Sequence, residues 1–230
     1  MEGTEVRKLA ELEGRHWWYA ERRFLLRRMV RELTPGRALD VGAAGGGNTR
    51  VLQELGWQAV PVEYGHEGAD VARSRGLPAL RADALRLPLA NESMDAVVAF
   101  DVLEHIEDDV TAVAEVRRVL RPGGAFLVAV PVDMRLWSAH DKAVGHVRRY
   151  DRAGLLGLLA DGGFRIEEVR SWMVLLRPAV ALRRRSSNGS DLQALPGIVN
   201  AGLRGVVALE RYLPVDRLPG VSLLVSATRV

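Results

Sequence analysis

The chain has 230 residues, 48% of them hydrophobic and 27% charged, which suits one globular domain with room for an additional element. It contains no cysteine, so disulfides, thiolate metal sites and a cysteine nucleophile are excluded together. Its net charge of +3 is too small to indicate nucleic-acid binding, and because no secretory signal or membrane span is recognisable we expect a cytoplasmic protein.

The first predicted element is a long helix. Residues from about Glu5 to Leu33 place apolar side chains at helical spacing, with arginine and glutamate between them. Thr34-Pro35-Gly36 then ends the helix. A short buried strand follows over Ala38–Gly42, and it breaks into small residues that precede a helix over Thr49–Leu55. Small side chains let the backbone approach a ligand closely, and the free N–H groups of a helix start indicate a nucleotide-type site.

Strands and helices then alternate along the chain. Further strands are predicted over Gln58–Glu63, Ala79–Arg81, Ala96–Phe100 and Ala125–Val130, and helices over Glu67–Ser74 and Asp108–Leu120. The turn Arg121-Pro-Gly-Gly124 leads into the last of these strands. Short apolar strands that alternate with helices predict a parallel sheet covered on both faces.

After Pro131 the regular pattern gives way to a polar and aromatic loop as far as Tyr150. A helix is predicted over Arg152–Ala160, and two more strands over Phe164–Trp172 and Ser222–Thr228. An insert of about forty residues separates these two strands. Within it we predict a flexible joint at 186–190 and an amphipathic helix over Ile198–Leu213.

The acidic residue in front of the glycines indicates which nucleotide binds. Gly42, Gly45, Gly46 and Gly47 do not have the spacing of the dinucleotide-binding motif, and Asp40 precedes them. A carboxylate that faces a pyrophosphate repels it, whereas the same carboxylate attracts a cation. S-adenosylmethionine carries a sulfonium and an ammonium group and no phosphate. The charge of Asp40 therefore favours S-adenosylmethionine over NAD.

Five ordered motifs carry a family resemblance. Leu39-Asp-Val-Gly-Ala-Ala-Gly-Gly46 resembles the first motif of the class I S-adenosylmethionine-dependent methyltransferases, in particular the small-metabolite, type 11-like group. The other four are Glu63, Asp83 after Leu80-Arg-Ala, Asp101-Val-Leu-Glu-His-Ile106, and Arg118-Val-Leu-Arg-Pro-Gly-Gly124. The family usually has glycine where this chain has Ala44, and we expect the extra methyl group to shift the methionine end of the cofactor.

The resemblance implies a Rossmann-like α/β fold with seven strands in the order 3-2-1-4-5-7-6, mostly parallel, with the last strand antiparallel. We expect one domain over 1–230: an N-terminal helical lid (1–34), a cofactor-binding core (35–172), a helical insert (173–220) and a final strand (221–230). The implied cofactor is S-adenosylmethionine and its product S-adenosylhomocysteine. The residues implied for the cofactor are Asp40, Gly42, Ala44, Gly46, Asn48, Glu63, Tyr64, Asp83, Ala84, Asp101 and Val102. Among these, Glu63 is expected to accept the ribose hydroxyls, and Asp83 the adenine amino group.

A base is needed where the methyl acceptor carries a proton, and histidine suits this role near neutral pH. The candidates are His105, after the fourth strand, and His140, which the neighbouring Asp141 could orient. Each has a structural alternative, since His105 could make only structural hydrogen bonds and His140 with Asp141 could form a loop ion pair. No histidine, aspartate and glutamate cluster has metal-ligand spacing along the chain, so no metal is expected.

Aromatic and basic residues are expected to contact the acceptor. They are Trp17, Trp18, Tyr19, Arg22, Trp137, His146, Arg149 and Tyr150. The lid aromatics could cover the sulfonium through cation–π contact or anchor the lid helix to the core, and Arg22 could reach the cofactor carboxylate. The Arg149 and Tyr150 segment could recognise a polar or anionic group or anchor its own loop.

The predicted function is transfer of a methyl group from S-adenosylmethionine to an oxygen, nitrogen or carbon of a small or medium metabolite. Two alternatives remain: an enzyme of the same fold that catalyses a cyclisation or rearrangement with the cofactor as a structural element, and a non-catalytic partner or regulatory protein. The expected partner is a small-molecule acceptor and not nucleic acid. The 173–213 segment could cover the acceptor, form a homodimer or rest on a membrane surface.

Overall fold

A computed structural model of the protein describes residues 10–185 and 194–230. Its strands are β1 (Arg37–Val41), β2 (Gln58–Glu63), β3 (Leu80–Arg81), β4 (Met94–Phe100), β5 (Leu120–Pro131), β6 (Phe164–Trp172) and β7 (Ser222–Arg229). They form one sheet in the order β3-β2-β1-β4-β5-β7-β6. Strands β1 to β5 pair in parallel, and β7 lies antiparallel between β5 and β6. The predicted strand order and directions are confirmed.

Helices cover both faces of the sheet. They are α1 (Trp17–Met29), α2 (Gly47–Glu54), α3 (His66–Ser74), α4 (Asp109–Val119), α5 (Ala139–Val144), α6 (Arg152–Asp161), α7 (Arg177–Arg184) and α8 (Gly197–Glu210). Successive side chains of a strand point to opposite faces, so Leu39 packs in one buried cluster with residues of α4 and α6, while Ala38 packs in another with residues of α1, α2 and α8. Within the described ranges, none of the helices has the length and apolar character needed to cross a bilayer.

The predicted N-terminal helix is interrupted. Residues 10–12 are helical, the chain turns at 13–15, and helix α1 begins at Trp17, where the His16 side chain accepts a hydrogen bond from the Trp18 N–H as an N-cap. Gly14 lies in this turn, and glycine is a poor helix former. The predicted helix start near Glu5 lies outside the described residues.

Two predicted irregular segments are regular in the structure. The expected turn at 121–124 is part of β5, which begins at Leu120; Gly123 has a positive φ there, and the pairing with β4 shifts register between Met94 and Ala96. The loop after Pro131 contains α5. A capping box between Ser138 and Asp141 forms the start of this helix. Helix α7 also was not predicted, and the joint predicted at 186–190 lies outside the described residues.

Candidate active site

The carboxyl ends of β1, β2 and β4 meet at one edge of the sheet, because the three strands are parallel neighbours. The strand order reverses direction between β1 and β4, so the connections on either side diverge and leave a crevice there. Open α/β sheets bind their ligands at this kind of switch point. The glycine-rich loop after β1, Glu63 at the end of β2 and Asp101 after β4 therefore share one site.

Asp40 is a buried carboxylate directly in front of the glycine-rich loop. Its Oδ2 accepts a hydrogen bond from the Thr49 hydroxyl at 2.6 Å, while its Oδ1 has no hydrogen-bond partner among the residues that the structure describes. Burial raises the pKa of Asp40 to about 7, and the nearby Glu63 charge acts in the same direction while the Thr49 hydrogen bond opposes it. A cationic donor at Oδ1 satisfies the carboxylate and favours its ionised form.

Two glycines of the loop are required by the backbone. Gly42 has φ 65° and Gly46 has φ 79°, a region that L-residues rarely adopt. A Cβ at Gly42 would lie 2.5 Å from a Val102 methyl carbon, and one at Gly46 would lie 2.0 Å from a Leu77 methyl carbon. Both positions therefore exclude side chains, and Val102 forms part of the wall behind the loop.

Ala44 occupies the position where the family usually has glycine, and it has φ 45°. The left-handed conformation costs an L-residue about 1–2 kcal/mol. The Ala44 N–H donates a hydrogen bond to the Glu63 carboxylate, which connects the loop to the end of β2. Burial raises the pKa of Glu63, and this N–H opposes the change. The loop thus keeps its glycine-like backbone despite the methyl group.

The remaining residues implied for the cofactor lie around this loop. Asn48 is half-buried in the first turn of α2, and Tyr64 is 74% exposed after β2. Asp83 is exposed after β3, where its Oδ1 accepts the Leu85 N–H at 2.9 Å, and Ala84 beside it is half-buried. The placement agrees with an adenosine side at β2 and β3, although the roles of these residues remain predictions.

The chain before α1 lies over the glycine-rich loop. Arg75 donates to the Gly45 carbonyl at 2.7 Å and to the Ala10 carbonyl at 2.6 Å, and it forms an ion pair with Glu13 at 2.5 Å. A Cβ at Gly47 would lie 1.9 Å from a Glu13 oxygen, so Glu13 packs directly on the loop. Sequence reasoning missed Glu13 and Arg75, because no local pattern relates residues 62 positions apart.

Arg22 joins the lid helix to the crevice. Its side chain is 3% exposed and forms an ion pair with Asp101, which has φ 58° after β4. The guanidinium carbon lies 4.9–5.2 Å from the ring centroids of Trp18, Phe100 and Trp172. Its Nε and Nη1 have no hydrogen-bond partners in the described part of the chain. The aromatic residues therefore hold a buried cation whose free N–H groups suit a carboxylate.

The other lid aromatics anchor α1. The Trp17 N–H donates to Asn200 of α8 at 2.8 Å, and the Trp17 ring lies 6.4 Å from Trp172. Arg211 forms an ion pair with the buried Glu21 and so ties the end of α8 to α1. Tyr19 is half-buried, and its ring lies edge-on to the Trp18 ring. In the described part of the insert, α8 thus packs on the lid helix.

Glu104, His105 and His146 form a cluster beside Asp101. Glu104 is fully buried, and neither of its carboxylate oxygens has a hydrogen-bond partner within the described ranges. The His146 Nε2 lies 3.7 Å from the Glu104 Oε1, and the rings of His105 and His146 are 4.8 Å apart. Burial, reinforced by the charge of Asp101, raises the pKa of Glu104 well above its usual range. Burial and then the neighbouring His146 lower the pKa of His105 to about 4, so His105 is neutral at neutral pH.

Asp141 orients His146. It is fully buried and accepts hydrogen bonds from His146 Nδ1 at 2.9 Å, Arg149 Nε at 2.8 Å and the Ser138 N–H at 2.9 Å. Burial alone raises the pKa of Asp141, but the His146 hydrogen bond and the neighbouring cations hold that pKa below its usual range. His140 is also buried, with its ring 6.1 Å from that of His146. The sequence predicts that Asp141 orients His140, and in the structure the Asp141 carboxylate holds the His146 ring.

The residues at the end of this loop are structural supports. Arg149 is buried and donates to the Val132 carbonyl at 3.1 Å as well as to Asp141. The Tyr150 hydroxyl donates to Asp109 at 2.6 Å, and burial together with this hydrogen bond raises the pKa of Tyr150. Trp137 is half-buried. These contacts agree with the loop-anchoring alternative for Arg149 and Tyr150.

Comparisons with known proteins find similarity to methyltransferases. Residues 39–128 match the family described as "Methyltransferase domain". A probable S-adenosylmethionine-dependent methyltransferase of Mycolicibacterium smegmatis is 28% identical over 171 residues, 72% of this chain and 66% of that protein. A ubiquinone biosynthesis O-methyltransferase of Hahella chejuensis is 31% identical over 138 residues, 52% of this chain and 58% of that protein. The matches thus span about two thirds or less of these relatives.

The fold has a close counterpart among solved structures. Phosphoethanolamine N-methyltransferase 2 of Haemonchus contortus, in complex with S-adenosyl-L-methionine, superposes with a TM-score of 0.68 at 19% identity, covering 99% of this chain and 57% of that one. The strand order and the family match over the core agree with the five motifs of the sequence. The chain thus resembles S-adenosylmethionine-dependent methyltransferases in the sequence of its core, and it has the fold of a solved methyltransferase.

Proposed function

We propose that the protein transfers the methyl group of S-adenosylmethionine to a hydroxyl oxygen of a small-molecule acceptor. The observation that carries this proposal is the cluster of Glu104, His105 and His146, which lies directly beside Asp101 of the cofactor crevice. Proton-accepting side chains at this position suit an acceptor that must lose a proton as it is methylated.

The residues at the crevice fit S-adenosylmethionine. Glu63 at the end of β2 can accept both ribose hydroxyls, since only a carboxylate offers two charged acceptors side by side. Asp40 offers a free buried oxygen to the positively charged methionine end, and Arg22 offers free N–H groups to its carboxylate. When bound, the cofactor supplies a methyl group on an electron-poor sulfonium. These side chains bind and orient it, which is the main requirement of an in-line displacement.

We place the acceptor on the side of Asp101 where Glu104, His105 and His146 lie. Methylation would form a bond from its oxygen to the methyl carbon, break the bond between sulfur and that carbon, and pass the hydroxyl proton to a side chain of this cluster. Glu104, His105 and His146 line this side and lower the cost of removing the proton. The named activity of the Hahella chejuensis relative, an O-methyltransferase, supports oxygen as the acceptor atom. Helix α8 of the insert packs on the lid helix, which supports a covering role for the insert.

The cofactor assignment is tested with Glu63→Ala. Loss of a charged hydrogen-bond acceptor costs about 1.5–3 kcal/mol, so binding of S-adenosylmethionine should weaken at least about tenfold. Isothermal titration calorimetry measures the change. Glu32→Ala, at a glutamate whose side chain is 87% exposed, is the matched control and should bind as the wild type does. An unchanged affinity in Glu63→Ala would remove Glu63 from the ribose site.

Methyl transfer itself is tested with isotope-labelled S-adenosylmethionine and a panel of phenolic and aliphatic hydroxyl compounds. Release of S-adenosylhomocysteine in proportion to a methylated oxygen is the expected result. Cofactor binding without methylation, together with an isomerised product, would instead support the rearrangement alternative. Labelled methyl groups found only on nitrogen or carbon would refute the hydroxyl assignment.

A further inference from the structure

We infer that Glu104, His105 and His146 form a site for a divalent first-row transition-metal ion on the acceptor side of the crevice. One ligand atom from each of the three residues lies within 4.8 Å of the other two. His146 is separated from the other two by about forty positions in the chain, so local spacing could not reveal this group. The expectation of no metal was based on spacing along the chain alone.

Glu104 is the first observation that points to a cation. Its side chain is fully buried, and both carboxylate oxygens lack a hydrogen-bond partner in the described part of the chain. A buried carboxylate without partners is costly, and such groups in native proteins are paired or coordinate metals. The nearby His146 Nε2, at 3.7 Å from Oε1, is too far for a hydrogen bond. A metal ion between these two atoms satisfies both of them.

The histidines are the second observation. His146 Nδ1 lies 2.9 Å from the Asp141 carboxylate, and His105 Nδ1 lies 3.0 Å from the Gly145 carbonyl. A carbonyl and an ionised carboxylate only accept hydrogen bonds, so each Nδ1 carries a proton and Nε2 is the ring nitrogen available to a metal ion. Histidines that bind a metal almost always donate their other N–H to a carboxylate or a backbone carbonyl. Both rings therefore have the outer hydrogen bond of a metal ligand.

The surroundings hold the ligands in place. Asp141 is fixed by Arg149 and by the Ser138 N–H, and the Glu104 carbonyl accepts the Val147 N–H at 2.8 Å. Metal bonds of about 2.1 Å at tetrahedral angles place ligand atoms about 3.4 Å apart, so the widest separation in the cluster must contract by up to about 1.4 Å on binding. Two imidazoles and one carboxylate suit Zn²⁺ or Fe²⁺, and three protein ligands leave a position open, as in catalytic sites.

The proposed role of the ion rests on the proposed methyl transfer, whereas its binding does not. An acceptor hydroxyl in the open position would have its pKa lowered by the ion. With the ion bound, the three side chains would be occupied as ligands and would not accept the proton, which would pass to solvent instead. The oxygen would then form its bond to the methyl carbon as the bond to sulfur breaks. The substrate class is then a compound with a hydroxyl group that coordinates a divalent cation.

The test is metal binding by the full chain after treatment with a chelator. Zn²⁺ titrated in a calorimeter should bind with one ion per chain, and Co²⁺ should produce the visible absorption of a nitrogen- and oxygen-ligated ion. Glu104→Gln and His105→Ala should each weaken Zn²⁺ binding at least about tenfold, and Asp141→Asn about 10–100-fold. His66→Ala, at an exposed histidine that pairs with Asp70, is the control and should leave binding unchanged.

Glu104→Gln keeps the shape of the buried side chain, whereas His105→Ala removes a half-buried ring. If one variant fails to fold, Zn²⁺ binding by the other still tests the site. Thermal unfolding shows which variants are folded. Absence of one-to-one binding in the wild type, or wild-type affinity in a folded variant of either residue, overturns the site. Metal binding without methylation of any hydroxyl compound keeps the site and refutes the proposed function, while methylation unaffected by chelation refutes only the role of the ion.

Discussion

Replacing Asp40 with asparagine tests whether this buried carboxylate keeps its proton in the folded protein. Asparagine has nearly the same shape and can still accept a hydrogen bond from Thr49, but it does not titrate. The perturbation therefore removes one ionisation and leaves the packing of β1 in place. The measured quantity is the difference in the free energy of unfolding between Asp40→Asn and the wild type, as a function of pH.

The magnitude follows from the two pKa values. Asp40 ionises near 3.8 when it is exposed, and burial raises its pKa to about 7 in the folded protein. Between these values the folded state holds a proton that the unfolded state has lost, so stability falls as pH rises. Roughly three pH units at about 1.36 kcal/mol per unit give a loss of about 4 kcal/mol. The stability that Asp40 contributes in protonated form is fully present below about pH 4 and is lost above about pH 7.

Urea unfolding without cofactor, at closely spaced pH values, measures the effect. The pH range of roughly 3.5 to 8 is chosen because it includes both pKa values of Asp40. Other titrating groups act on both proteins and cancel in the difference. Relative to the wild type, Asp40→Asn should gain about 4 kcal/mol between pH 4 and pH 7 and then stay level. A difference that does not change with pH, or one that changes in the opposite direction, would refute the reasoning about Asp40.

Two further outcomes are expected for stability. Ala44→Gly should stabilise the protein by about 0.5–1 kcal/mol in urea unfolding. It removes the left-handed alanine, which costs about 1–2 kcal/mol, but glycine raises the entropy of the unfolded chain, which costs about 0.5–1 kcal/mol. A loss of stability would contradict the strain argument. Tyr150→Phe removes one of two donors to the Asp109 Oδ2, since Arg148 still donates to that oxygen at 2.6 Å, and should cost about 0.5–1.5 kcal/mol. Tyr212→Phe, at an 83% exposed tyrosine, should have no measurable effect.

Much of the sheet was predictable because its strands are short apolar runs between turn residues. Strands β2 and β6 have the predicted bounds, and the others differ only at their ends or in the bulged start of β5. The glycine-rich loop was predictable for the same local reason, since positive φ at Gly42 and Gly46 needs glycine. Helix α5 was missed because a capped helix of six residues carries little apolar periodicity. Helix α7 was missed because it is short and has a proline in its first turn, which in a sequence indicates a break.

The acceptor side could not be predicted in this way. Glu104 lies within a quoted motif, but its complete burial and lack of partners depend on how 138–149 folds over it. The pairing of Asp141 with His146 depends on the turn that ends α5 at Gly145 and brings the chain back. Adjacent residues on a helix diverge, so sequence neighbours are poor guides to such pairs.

By itself the sequence determined the fold and the nucleotide-binding edge of this protein. Strand propensity, the glycine positions and the acidic residues at strand ends are local properties, and parallel strands carry them to a common edge. Only the tertiary structure decided which charges are buried and what they face. Arg22 among three aromatic rings and Glu104 beside two histidines are formed by segments distant in the chain, and their electrostatics exist only once water has been excluded.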